Sequence, residues 1–123
     1  MRALIGSGNE QMEEYGIYNV DFGLGRGHEQ SNPRPAIVLK TISELDMCIV
    51  VPLTSKMEHL NLSYTVQINK TARTNLRENS VALVFQIRAI DKARVTGSQI
   101  GDLEEYQAKK IKSTLREMLH LYL

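Results

Sequence analysis

Apolar residues fall into short runs separated by polar, glycine-bearing segments as far as about residue 103, where their spacing changes to that of a helix. The run over 17–22 predicts a first strand, followed by a loop with Gly23, Gly25 and Gly27. Continuous aliphatic runs over 36–40 and 47–53 predict strands covered on both faces, and Pro35 confines the first of these to start beside it. Residues 62–68 alternate with period two, the pattern of a half-buried strand. The apolar stretch 80–87 predicts another strand, 95–103 a last short one, and the polar segment 69–79 a turn with a short helix. Beyond it, Ala108, Ile111, Leu115, Met118 and Tyr122 follow the spacing of one helical face. Asp102 and Glu105 resemble a capping box at its start, while Lys109, Lys110, Lys112 and Arg116 occupy the other faces or the end that favours cations.

Strands in succession followed by one helix imply a mainly β fold with α: a small, strongly bent antiparallel sheet or barrel with the helix packed against it. Residues 6–14 are polar, charged and without apolar periodicity. The division expected is therefore a flexible N-terminal extension over 1–14 and a single domain over 15–123.

Length and composition narrow the function. At 123 residues and 13.9 kDa the chain holds one core, which excludes multidomain machinery. A net charge of +1 gives no global reason to expect a polyanion partner, so any nucleic-acid reading must come from local motifs. The single cysteine, Cys48, permits no intramolecular disulfide and no cysteine-built metal site, and its apolar neighbours predict a buried, inert thiol. The run Ala3-Leu4-Ile5 is too short for a signal core and no stretch is long enough to span a bilayer, so a cytoplasmic protein without membrane contact is expected.

No phosphate-binding loop of the Gly-Lys-Ser/Thr type is present, and His28, His59 and His120 each stand alone. The scattered carboxylates suggest neither a zinc nor a two-metal site, so catalysis would use organic groups, with no metal and no cofactor. Three stretches carry chemistry: Gly27-His28-Glu29-Gln30-Ser31-Asn32-Pro33-Arg34-Pro35 in a loop, Val51-Pro52-Leu53-Thr54-Ser55 at a strand exit, and Phe85-Gln86-Ile87-Arg88-Ala89-Ile90-Asp91. The bland readings are a solvated loop, a strand end bonding its own turn, and an Arg88–Asp91 pair.

In order and spacing these stretches, with Val20-Asp21-Phe22-Gly23 before them and Gly101-Asp102-Leu103 after, resemble the MazF/PemK/Kid toxin endoribonucleases of toxin-antitoxin pairs. The resemblance spans most of the chain. It implies a five- to seven-stranded SH3-like barrel of the CcdB/MazF type with a C-terminal helix, a homodimer, metal-independent cleavage of single-stranded RNA, and a cognate antitoxin. It carries catalytic roles to Arg34 and Thr54, and to His28 as proton carrier. RNA contact falls to Glu29, Gln30, Ser55, Gln86 and Arg88.

The chemistry agrees with that implication. Cutting RNA without a metal requires a deprotonated 2′-hydroxyl, a protonated leaving oxygen and neutralised phosphorane charge, and the permanently charged fork of arginine suits the last task. Two departures from the family stand out: Phe85 replaces a carboxylate that some members carry before the glutamine, and Tyr15-Gly16 replaces a Gly-Asp ahead of the first strand. Two alternatives follow, a CcdB-like DNA gyrase poison and a catalytically impaired barrel that only binds its antitoxin.

Overall fold

The computed structural model describes residues 12–23 and 33–121. In chain order the strands are β1 (Gly16–Val20), β2 (Arg34–Ile42), β3 (Met47–Thr54), β4 (Thr65–Ile68), β5 (Ser80–Leu83), β6 (Arg88–Asp91) and β7 (Val95–Asp102), followed by helix α1 (Glu105–Met118). All pairings are antiparallel in the order β4-β5-β3-β2-β1-β7, with β6 also on β3.

The hairpin β2–β3 is the spine. Its turn is the short 3-10 segment Ser43–Leu45 closed by Asp46 at φ 53°, a left-handed position that Asp tolerates. Successive residues feed two cores, because a strand points alternate side chains to opposite faces. Ile17, Ile37, Val51 and Leu53 join Val66, Ile68, Ala82, Val84 and Ile111 of the helix-side core, while Tyr18, Val20, Ala36, Val38, Cys48 and Val50 join Ile90 in the second. This two-sided burial is why β2 and β3 read as unbroken aliphatic runs. Each fully buried Ile or Val there contributes about 1.5–3 kcal/mol.

Bends let one sheet wrap both cores. β2 carries an extra residue opposite β3 between Val38 and Lys40, a bulge that sharpens the local twist. β3 pairs β6 along its first half and β5 at Leu53 and Thr54. The 3-10 turn Lys92–Arg94 then carries the chain from β6 to β7, capped by Asp91, whose carboxylate accepts the Ala93 N–H at 2.8 Å. The sheet is not closed by a continuous ladder; its shape is barrel-like and the turn bridges the gap.

Helix α1 docks Ile111, Ala108, Leu115 and Met118 on the helix-side core, the face read from the sequence; Tyr122 lies outside the described residues. A polar tether fixes its start. Glu104 and Gln107 form a reciprocal capping box, the Thr71 hydroxyl donates to Glu104 at 2.6 Å, and buried Gln107 donates to the Asn69 carbonyl at 3.4 Å.

Several expectations need correction. The capping box is Glu104–Gln107, not Asp102–Glu105, because the Asp102 carboxylate accepts from the Gln99 side chain instead. Segment 69–79 holds a turn closed by Asn75 N–H to the Thr71 carbonyl (2.9 Å) and no helix. The strand expected over 62–68 begins only at Thr65, and that over 80–87 stops at Leu83, where a 3-10 turn (Val84–Gln86) interrupts it before β6 continues in the same direction along β3. The Tyr15-Gly16 departure forms a turn, with Tyr15 at φ 63°.

Gly101 packs directly on this tether. A Cβ there would sit 2.6 Å from the Arg73 carbonyl oxygen and closer still to that of Thr74, so Gly101→Ala is expected to lower unfolding stability by about 1–3 kcal/mol in urea titration. An unchanged midpoint and slope would contradict this packing. Cys48 is wholly buried, and burial chiefly holds its thiol above the usual range, with Asp91 adding to the rise and Lys92 opposing it. Its alkylation at neutral pH should therefore proceed only through opening of the fold, accelerating as urea is added. Rapid labelling of the native protein would contradict the burial.

Candidate functional site

Arg34 and Thr54 are separated by the whole β2–β3 hairpin in sequence and brought together by its register. Ala36 faces Pro52 across the ladder, so Arg34 at the start of β2 and Thr54 at the end of β3 emerge at the same open end. Pro33 and Pro35 restrict the backbone on either side of Arg34. Its exposed guanidinium has no hydrogen-bond or ion-pair partner among the described residues. The Thr54 hydroxyl accepts the Lys56 N–H at 3.2 Å, which fixes the oxygen and leaves its own proton able to donate outward.

Both residues line a cleft of about 780 Å³. One wall is the hairpin end, with Ser55 and Lys56 beside Thr54. A second is the β4–β5 connection, which contributes Asn75, Arg77 and Glu78. The third comes from an irregularity in β7: between paired positions β1 advances from Ile17 to Asn19 while β7 advances from Gly101 to Thr96, and the excess brings Gln99 and Ile100 to the cleft. Gly97 accommodates that excursion at φ 72°.

Hydrogen bonds hold the walls in place. The Asn75 side chain donates to the Ile100 carbonyl at 3.0 Å, and the Gln99 amide donates to the Gly101 carbonyl and to Asp102, each at 2.8 Å. The Tyr18 hydroxyl donates to the Gln99 side-chain oxygen Oε1 at 3.3 Å. Among the described ionisable residues lining the cleft, Arg34, Lys56 and Arg77 are cations and Glu78 is the one acid. A groove with this charge and with hydroxyl donors suits a phosphodiester chain. Among the described residues no three His, Cys, Asp or Glu side chains gather as a metal site would need.

Of the residues singled out in the sequence, Arg34, Thr54 and Ser55 meet in this cleft, whereas Gln86 and Arg88 do not line it. Arg88 instead donates to the Gln86 carbonyl (3.3 Å) and side-chain oxygen (3.1 Å), and its guanidinium lies 4.7 Å from the centre of the Phe22 ring. It makes no pair with Asp91, which caps the following turn. Phe85 is 40% exposed, with its N–H donating to the Tyr64 carbonyl. His28, Glu29 and Gln30 lie outside the described residues. Sequence reasoning missed Lys56, Asn75 and Arg77; Lys56 is signalled only by following Thr54-Ser55, and the other two by nothing in the local pattern.

Comparison with known proteins identifies the family and the fold. Residues 13–119 match the family model of PemK-like, MazF-like toxins of type II toxin-antitoxin systems. Comparison with curated protein sequences returns no match. Among solved structures, the fold is similar to a mycobacterial endoribonuclease in complex with its cognate antitoxin, with a TM-score of 0.69 at 16% identity over 92% of this chain and 99% of that one. It is similar also to MazF from Deinococcus radiodurans (0.67, 19% identity, 89% and 96% covered) and to the Mycobacterium tuberculosis toxin MazF-mt6 (0.65, 19%, 85% and 96%).

Proposed function

The chain belongs to the PemK-like, MazF-like toxins of type II toxin-antitoxin systems, and from that membership and the cleft we propose that it is a sequence-specific endoribonuclease. Its substrate is single-stranded mRNA in the cytoplasm, and it cuts without a metal ion. The observation that carries this reading is the convergence of Arg34 and Thr54, from the two open ends of one hairpin, on a single cationic cleft.

The reaction transfers the phosphorus from one oxygen to another. The ribose 2′-oxygen gives up its proton and bonds to the adjacent phosphorus, the bond from phosphorus to the 5′-oxygen breaks, and that oxygen takes a proton. The products are a 2′,3′-cyclic phosphate and a free 5′-hydroxyl. Negative charge accumulates on the non-bridging oxygens in the transition state, where the Arg34 fork neutralises it and the Thr54 hydroxyl donates to one of them. Because the hairpin holds both donors before substrate arrives, little reorganisation is needed at the moment of reaction. His28 serves as proton carrier, with a reference pKa of about 6.5 suited to transfer near neutrality.

Glu29, Gln30 and Ser55 contact the RNA around this centre, Gln86 and Arg88 contact it outside the cleft, and two subunits form a homodimer that frames the groove. Like the mycobacterial endoribonuclease solved in complex with its cognate antitoxin and the Deinococcus MazF solved with MazE, this chain has a cognate antitoxin. An acidic segment of that partner laid across the cleft would exclude RNA, with an affinity that falls as salt rises.

Purified protein incubated with RNA in EDTA should cut at a short recurring sequence and leave cyclic phosphate ends. Arg34→Ala should lower kcat about a hundredfold or more, and Thr54→Val should lower it about tenfold. No site-specific cutting in EDTA, or undiminished cutting by Arg34→Ala, would refute the mechanism. Inhibition of gyrase supercoiling without RNA cleavage would establish the gyrase-poison reading in its place.

A further inference from the structure

The cleft holds more positive charge than one reacting phosphate requires. Lys56 lies just past Thr54 on the hairpin wall, and Arg77 stands on the opposite connection between β4 and β5; both line the cavity that Arg34 lines. Among the described residues neither side chain has a hydrogen-bond or ion-pair partner, and Glu78 is the one carboxylate lining the cavity. Among the described residues, three cations against one acid in a single groove amount to a local charge that the chain's overall +1 conceals. Unpaired cations lining one groove raise its positive potential, which favours a polyanion there.

The wall bearing Arg77 is built to stay put. Thr74 is wholly buried, with its hydroxyl bonded within the 69–74 turn, and Asn75, held at φ 55°, donates to the Ile100 carbonyl of β7. Arg73 Nε reaches the Leu103 carbonyl at 2.8 Å, and Thr71 reaches the helix cap through Glu104. Arg77 therefore projects from a connection anchored at both β7 and α1, although it lies far in sequence from either catalytic residue.

We propose that Lys56 and Arg77 bind the phosphates flanking the scissile one, so that the cleft grips an RNA backbone at three successive positions with Arg34 at the centre. This rests on the endoribonuclease reading and assigns Arg77 and Lys56 as binding and positioning residues for its substrate. Arginine on the β4–β5 wall can take a phosphate with its fork, whereas Lys56 acts as a point charge. Contacts of this kind hold register and carry no sequence information, which leaves reading of the RNA word to the loops.

The test uses full-length protein and two probes: a mixed-sequence oligoribonucleotide with every 2′-hydroxyl methylated, which binds but cannot be cut, and a long cleavable single-stranded RNA. For the first, the slope of log affinity against log salt should become shallower by about 0.7 in Arg77→Ala and about twice that in the Lys56→Ala/Arg77→Ala double variant. For the second, Arg77→Ala should raise KM about tenfold while kcat falls much less. Arg77→Lys should restore the salt slope, which a merely structural role for the side chain would not predict.

An unchanged salt slope in Arg77→Ala, together with lost cutting in Arg34→Ala, overturns this inference and leaves the endoribonuclease reading intact. Loss of affinity only for an acidic antitoxin peptide, with RNA binding unaltered, likewise overturns it in favour of a peptide groove. Unaltered protein that neither binds nor cuts RNA overturns both.

Discussion

Burial of the β2–β3 hairpin on both faces is the constraint on which the rest of the molecule depends. Ile37 and Val51 point into the core beneath α1, while Ala36, Val38, Cys48 and Val50 point into the core closed by β1 and β6. A slip of one residue in this pairing would exchange the two sets, taking each out of the core it fits. The register is thereby fixed, and with it the meeting of Arg34 and Thr54 at the open end. Functional side chains on the ends of a rigid hairpin lose little entropy on binding, which is the physical advantage of placing them there.

The surrounding elements complete the cleft. The polar tether from Thr71 and Asn69 to Glu104 and Gln107 ties the β4–β5 connection to the helix start, and Asn75 ties it to β7. Gly101 lets these backbones approach closely enough for that to happen. The irregularity in β7 costs regular ladder hydrogen bonds and brings Gln99 and Ile100 to the site, as bulges beside functional sites often do.

Much of the fold was legible in the chain because burial and backbone period coincide there. The runs over 36–40 and 47–53 are strands covered on both sides, and the stripe of Ala108, Ile111, Leu115 and Met118 is the docked face of α1. Strand β6 was not legible, since only Ile90 of its four residues is buried and Arg88, Ala89 and Asp91 are exposed. The end of β5 was hidden for the opposite reason: Val84 is as buried as Leu83, so the apolar run continues while the backbone turns. In the site, Arg34 and Thr54 were recognisable from motif order. The Arg77 wall was not, because its position depends on a turn and a strand irregularity remote in sequence, and Gln86 and Arg88 stand together away from the cleft.

In the proposed function, what this surface meets is a phosphodiester, and the three cations among the described residues lining the groove support that reading. The central claim is that Arg34 and Thr54 jointly receive the reacting phosphate. The most direct measurement is a crystal structure with a single-stranded RNA whose attacking 2′-hydroxyl is replaced by hydrogen. Non-bridging oxygens of that phosphate are expected about 2.7–2.9 Å from the Arg34 guanidinium and within hydrogen-bonding reach of the Thr54 hydroxyl. A scissile phosphate seated against Gln86 and Arg88, with the cleft empty, would contradict it.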